Sequence, residues 1–159
     1  MRLTVLTDYA LRLLMHVAQH PDRLCTIAEV AQTYGISQPH LMKITHLLGQ
    51  RGWLETVRGK NGGMRLAMPP EQINLGAVLR DTENDFVLVE CFVENNSCSL
   101  SGQCGLTAIF SGALQSFLSY VDNYTLADVL PGHFVVDPNR EHPLKVLIRN
   151  ANANVSAHQ

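Results

Sequence analysis

Residues 26–67 read TIAEVAQTYGISQPHLMKITHLLGQRGWLETVRGKNGGMRLA, and the punctuation inside this run settles the architecture. Ile27, Val30, Ala31 and Tyr34 share one face of a helix over residues 26–34, which Gly35-Ile36-Ser37 breaks. Ser37 is a good N-cap, and Pro39 is tolerated in the first turn of a second helix running to about Gln50, before Gly52. Its inward face is Leu41, Ile44, Leu47 and Leu48. Two short helices about a tight glycine-containing turn form a helix-turn-helix. Residues 53–57 and 64–67 then read as paired strands around Arg58-Gly59-Lys60-Asn61-Gly62-Gly63, a hairpin tip with two cations. Helix, turn, helix and basic hairpin is the order of a winged helix.

Upstream, Leu3, Leu6, Ala10, Leu13, Leu14 and Val17 recur at helical spacing until Pro21. Downstream, Pro69-Pro70 punctuates and residues 73–80 predict another short helix. A long helix is expected over residues 106–123, where Leu106, Phe110, Ala113, Phe117, Val121 and Tyr124 form a stripe that Ile109, Leu114 and Leu118 widen. One side of it suits packing on its own subunit and the other a partner copy, with Ser111, Gly112 and Ala113 allowing close approach. The alternative is a helix buried within one chain. The expected fold is therefore mainly α: a winged helix-turn-helix with a two-stranded wing and a long C-terminal dimerisation helix. Its expected divisions are a DNA-binding domain over 1–78, a cysteine loop and dimerisation helix over 79–130, and a flexible tail over 131–159 with a short helical turn at 143–149.

Composition narrows the function. The chain has 159 residues, 46% hydrophobic and 16% charged, which fits a folded globular protein. No run of about 18 apolar residues is present, and the N-terminus reaches Asp8 without a signal-peptide core. The expected location is cytoplasmic, where thiols stay reduced and favour metals over disulfides. Net charge is −2, but residues 1–68 carry eight Lys/Arg against four acids, +4, and the remainder −6. A basic front half suits a polyanion. In a helix-turn-helix the second helix enters the major groove N-terminus first, which puts Ser37, Gln38, His40 and Lys43 at the bases or backbone. Thr26, at the start of the preceding helix, and Ser37 can hold phosphates, while Arg58, Lys60 and Arg65 of the wing suit the backbone or a narrow minor groove. Gly62 and Gly63 are expected to let the wing tip lie flat on DNA.

Cys91, Cys98 and Cys104 lie in one Asn-, Ser- and Gly-rich loop, with six and five residues between successive cysteines. Three soft ligands without a fourth cysteine suit an iron–sulfur cluster with one weak corner, where a small molecule can react. Zinc competes for such thiolates but prefers a closed set of four, and the loop holds no further Cys or His to close it. Cys25 reads as a small apolar residue. His16 and His20 have a spacing metals can use, yet no third ligand is apparent nearby, so no metal is expected there. No nucleotide-binding glycine loop, nucleophile motif or second cluster motif points to an enzyme or an electron carrier.

The segments Leu3-Thr-x-x-Thr-Asp-Tyr-Ala-Leu-Arg, Tyr34-Gly-Ile-Ser-x-x-His-Leu-Met-Lys-Ile and Val57-Arg-Gly-Lys-Asn-Gly-Gly-Met-Arg-Leu, with the cysteine loop, resemble the iron–sulfur winged-helix (Rrf-type) repressors. The phrase Ser116-Phe-Leu-x-x-Val-Asp-Asn-Tyr-Thr-Leu-Ala-Asp-Val-Leu is similar to their nitric-oxide-sensing branch, the NsrR type. The resemblance covers residues 1–130. It implies a homodimeric repressor on a palindromic operator in double-stranded DNA, with Cys91, Cys98 and Cys104 holding a [4Fe-4S] cluster and Asp8 of the other subunit as fourth ligand. Asp8 also complements the dipole of the first helix by its position alone. The implied signal is nitric oxide, which releases DNA and derepresses nitrosative-stress genes; an iron- or redox-responsive repressor of the same family is the alternative. Relatives of the IscR type carry histidine three residues after the third cysteine, where this chain has Thr107, so histidine ligation from that site is excluded.

Overall fold

A computed structural model describes residues 2–100 and 103–132. The expected tail from residue 133 onward, including the turn at 143–149, lies outside the described residues.

Helix α1 (Val5–Ala18) starts where the Thr4 hydroxyl accepts the Thr7 amide at 3.3 Å. Thr26 caps α2 (Ile27–Tyr34) in the same way, accepting from the Glu29 amide at 3.2 Å. Gly35 ends α2 in the left-handed region at φ 65°, a conformation open to glycine at no steric cost. Helix α3 (Gln38–Gln50) follows after two residues, with Pro39 in its first turn. Strands β1 (Leu54–Val57) and β2 (Gly63–Leu66) pair antiparallel in the register Leu54↔Leu66 to Val57↔Gly63. A 3-10 turn (Pro70–Gln72) leads to α4 (Leu75–Thr82), and α5 (Gly105–Val121) follows the cysteine loop.

The core lies where α1, α2, α3 and the base of the wing meet. Ala10, Leu13, Leu14, Val30, Leu41, Leu48, Ile73, Val78 and Leu126 are completely buried there. Each buried leucine contributes about 1.5–3 kcal/mol. Helix α1 packs on α3, β2 and α4, and the Thr7 hydroxyl donates to Thr82 Oγ1 at 2.9 Å, which in turn donates to the Val78 carbonyl at 2.8 Å.

The structure departs from the sequence expectations in several places. Leu6, on the predicted apolar stripe, is 36% exposed, whereas its neighbour Thr7 is fully buried. Helix α4 starts two residues later than expected: Asn74 is its N-cap, bonded to the Ala77 amide at 3.0 Å, and the Ile73 carbonyl instead accepts from the Leu126 amide beyond α5. Helix α4 also runs through residue 78, where the first expected boundary falls. The wing gains a third pairing, Cys25↔Met64, with N–H···O distances of 2.9 and 2.8 Å in the two directions. A side chain at Gly62 would strike the Val57 carbonyl, and one at Gly63 would come within 2.6 Å of the Cys25 carbonyl. Both glycines thus serve close packing inside the wing.

Helix α5 is held at one end. Leu75 N–H donates to the Tyr124 carbonyl at 3.0 Å, Leu126 N–H to the Ile73 carbonyl at 2.8 Å, and Arg80 grips both oxygens of Asp122 at 2.7 Å. Its opposite end carries Cys104 and the cysteine loop. None of its seventeen residues is buried; Ile109 is 65%, Tyr120 64% and Leu106 56% exposed. Among the described residues, nothing buries α5 within its own chain.

Candidate metal centre and nucleic-acid interface

The loop holding the cysteines is shaped by its own polar side chains. Cys91 lies in a 3-10 turn (Glu90–Phe92), and the Glu90 carboxylate accepts from the Ser97 amide at 3.0 Å and its hydroxyl at 2.6 Å. These bonds hold the Glu90 carboxyl below the usual carboxylate range. Asn95 takes a left-handed conformation at φ 61°, and Asn96 Oδ1 accepts from the Cys98 amide at 3.1 Å. Cys104 is the N-cap residue of α5, where an anionic group meets the positive end of the helix. Thr107, one turn along, lies 3.2 Å through its hydroxyl from Cys91 Sγ. Cys91 and the start of α5 are therefore joined directly, a link the sequence reading missed.

All three cysteines are free and half-buried, as a ligand set on one loop requires. Tetrahedral zinc would need thiolates about 3.8 Å apart. Among the described residues, the three sulfurs are not gathered within 4.8 Å of one another. Three thiolates on one loop are the donor type that an iron–sulfur cluster takes.

Asp8 lies in the first turn of α1, exposed, and pairs with Arg12 one turn later at 2.9 Å. Beside it the start of α1 is tied to the end of α4, where Glu83 Oε1 accepts from the Thr4 amide at 2.8 Å. Residues 83–90 then lead into the cysteine loop.

Ser37, Gln38, His40 and Lys43 are all exposed along the first turns of α3. The Ser37 hydroxyl makes no cap bond, whereas the Thr26 hydroxyl is already engaged as the cap of α2. His40 stands 6.3 Å from the Tyr9 ring, centroid to centroid. Met42, which the sequence reading did not single out, is 59% exposed on the same helix. In the wing, Arg65 pairs across the ladder with Glu55 at 2.7 Å, so it must leave that partner to reach a phosphate. Among the described residues, no carboxylate pairs with Lys43, Arg58 or Lys60.

One constellation contradicts the sequence expectation. The missing third ligand beside His16 and His20 is Cys25, brought in by its pairing with Met64. His16 Nε2 also lies 3.1 Å from the Glu29 carboxylate. Burial pushes that carboxyl up, but hydrogen bonds from His16, Arg23, the Thr26 backbone and Cys25 outweigh it and hold it at about 2. Burial, with the adjacent Glu29, pushes the Cys25 thiol up to about 11.

A family profile described as Rrf2, iron-dependent transcriptional regulator, matches residues 3–132. The chain belongs to the Rrf2 family. It is a winged-helix transcriptional regulator and not an enzyme. The HTH-type transcriptional regulator NsrR of Bacillus subtilis is 46% identical to this Rrf2 chain over 149 residues, covering 92% of it and 97% of the relative. The NsrR protein of Halalkalibacterium halodurans is 48% identical over 132 residues, covering 82% and 90%. The Rrf2 fold is shared with Staphylococcus aureus CymR in its oxidized form, at TM-score 0.68 and 21% identity over 86% of this chain and 99% of that one. It is shared equally with T. potens IscR, at TM-score 0.66 and 20% identity over 92% and 96%. No described helix is long and apolar enough to cross a membrane.

Proposed function

We propose that this Rrf2 protein is a cytoplasmic, homodimeric repressor of nitrosative-stress genes that senses nitric oxide through a [4Fe-4S] cluster. Cys91, Cys98 and Cys104 hold the cluster, and the partner subunit's Asp8 supplies the fourth ligand. The observation that carries this reading is the bare α5, apolar along its length and starting at the third cysteine. A second copy is the natural cover for it, and Val5 and Leu6 beside Asp8 are exposed as well. The relatives named NsrR and the three free half-buried thiols support the choice of signal and cofactor.

When bound, the cluster supplies an exchangeable, carboxylate-held iron at which nitric oxide reacts. The chain's residues turn that into a change at DNA. The three cysteines fasten the loop to the start of α5, and the partner's Asp8 fastens α1 of one subunit to the loop of the other. Because α1 packs on α3, this link sets the distance between two recognition helices. Those helices match half-sites of a palindrome about one turn of DNA apart, or a multiple. Once released, Asp8 has a partner waiting in Arg12, at 2.9 Å within its own chain. The dimer then loses its spacing and DNA affinity falls.

The test is anaerobic purification, iron and sulfide counting, and separate titrations with nitric oxide, oxygen and an iron chelator, with operator binding as the readout. Release of DNA by nitric oxide ahead of the other two supports the proposal. Release by the chelator alone favours the iron-responsive alternative. A monomeric, iron-free preparation overturns both. Asp8→Ala is expected to keep the cluster and alter its lability; an unchanged lability removes Asp8 from the ligand set.

A further inference from the structure

We propose that His16, His20 and Cys25 form a second, mononuclear site for a borderline-soft divalent cation such as zinc, with the Glu29 carboxylate as the adjoining anion. One ligand atom from each of the three lies within 4.8 Å of the others. His16 lies in the last turn of α1 and His20 in the turn just after it, with ring centroids 4.7 Å apart. Cys25 faces them because its backbone exchanges two hydrogen bonds with Met64 of the wing, which fixes where the chain re-enters before α2.

The second contacts of both imidazoles are those of metal-binding histidines. His20 Nδ1 lies 2.8 Å from the His16 carbonyl oxygen, which only accepts, so Nδ1 carries the proton and Nε2 keeps its lone pair. His16 is oriented by the Glu29 carboxylate. A carbonyl or carboxylate on the far nitrogen is the usual device for aiming a ligating imidazole. Two imidazoles and a thiolate select zinc or cobalt over magnesium or calcium, which require oxygen. Tetrahedral coordination needs ligand atoms about 3.3–3.8 Å apart, so side-chain rotations of about 1 Å close the site. Arg23, paired with Glu29 at 2.9 Å, opposes a cation, and the thiolate and carboxylate together offset it. A bound ion would clamp the last turn of α1 to the first turn of α2 and, through Cys25, to the wing.

The site shares no residue with the cysteine loop, so it can be tested independently of the cluster. Cobalt is the probe, since its visible and sulfur-to-metal bands report both geometry and thiolate ligation. The full-length chain with Cys91, Cys98 and Cys104 all replaced by Ser is titrated anaerobically. The expected result is a single bound ion with tetrahedral bands and a sulfur-to-cobalt band, displaced by zinc. His20→Ala in the same background is expected to weaken binding by more than about tenfold while circular dichroism stays unchanged. Cys25→Ser is expected to remove the sulfur band; because Cys25 is fully buried, His20→Ala decides the matter if that variant does not fold. Zinc is expected to raise the thermal midpoint of the triple-serine chain and not that of its His20→Ala derivative. A triple-serine chain without a sulfur-to-cobalt band, or a cobalt affinity indifferent to His20→Ala, overturns the proposal.

Discussion

Thr107 occupies the position where IscR-type relatives carry histidine, and its hydroxyl sits 3.2 Å from Cys91 Sγ. Toward a ligating thiolate this hydroxyl is the donor, and a donor stabilises the more negative, reduced state of a cluster. Thr107→Val is therefore expected to lower the reduction potential of the reconstituted protein in a spectroscopic redox titration; an unchanged potential would show that the contact has no electronic role. A second pair of hydroxyls matters for stability. Thr7 and Thr82 are buried and bonded to each other, and Thr82→Val leaves the Thr7 hydroxyl only Thr4 Oγ1, 3.2 Å away. The expected cost is about 0.5–1.5 kcal/mol in urea unfolding, the net worth of one hydrogen bond; an unchanged midpoint would show that Thr4 replaces the lost partner.

Among the described elements, α5 has no buried residue. If the proposed dimer is built on it, Ile109→Glu is expected to give a monomer in sedimentation measurements without lowering the thermal midpoint of the monomer, since Ile109 is 65% exposed within the chain. A dimer that survives the substitution places the interface elsewhere. The anchored end of α5 should respond to acid. Arg80 holds the Asp122 carboxyl below the usual carboxylate range, so the folded value lies below the unfolded one of about 3.9. The pair's contribution is then present above the unfolded value and is lost as pH falls through and below it. Urea midpoints of the wild type and Asp122→Asn are expected to differ at pH 7 and to converge below about pH 4. A difference that persists in acid would assign the anchor to the backbone bonds at Leu75 and Leu126.

For the assembled protein on its operator, phosphate and base contacts should separate by their salt dependence. Lys60 lies at the exposed wing tip and, among the described residues, pairs with no carboxylate. Lys60→Ala is expected to reduce the slope of log affinity against log salt by about 1 on any sequence, as loss of one phosphate contact does. Gln38, exposed at the start of α3, should behave differently. Gln38→Ala is expected to cost about 1–3 kcal/mol on the preferred operator and little on unrelated DNA. Equal losses on both sequences would make Gln38 a backbone contact.

The winged helix could be read from the chain because its signals are local: caps such as Thr26, the Gly35 break and apolar spacing; the three cysteines likewise stand together within one loop. Contacts between distant segments had no such signal. Nothing near Cys25 announces that Met64 will pair with it and turn it toward His16 and His20, and nothing near Leu126 announces that it will be buried beside Ile73. Apolar spacing likewise showed that α5 has faces to cover without saying which the chain itself covers. That depends on how separately specified helices meet, since burial belongs to a packed neighbourhood and not to a residue.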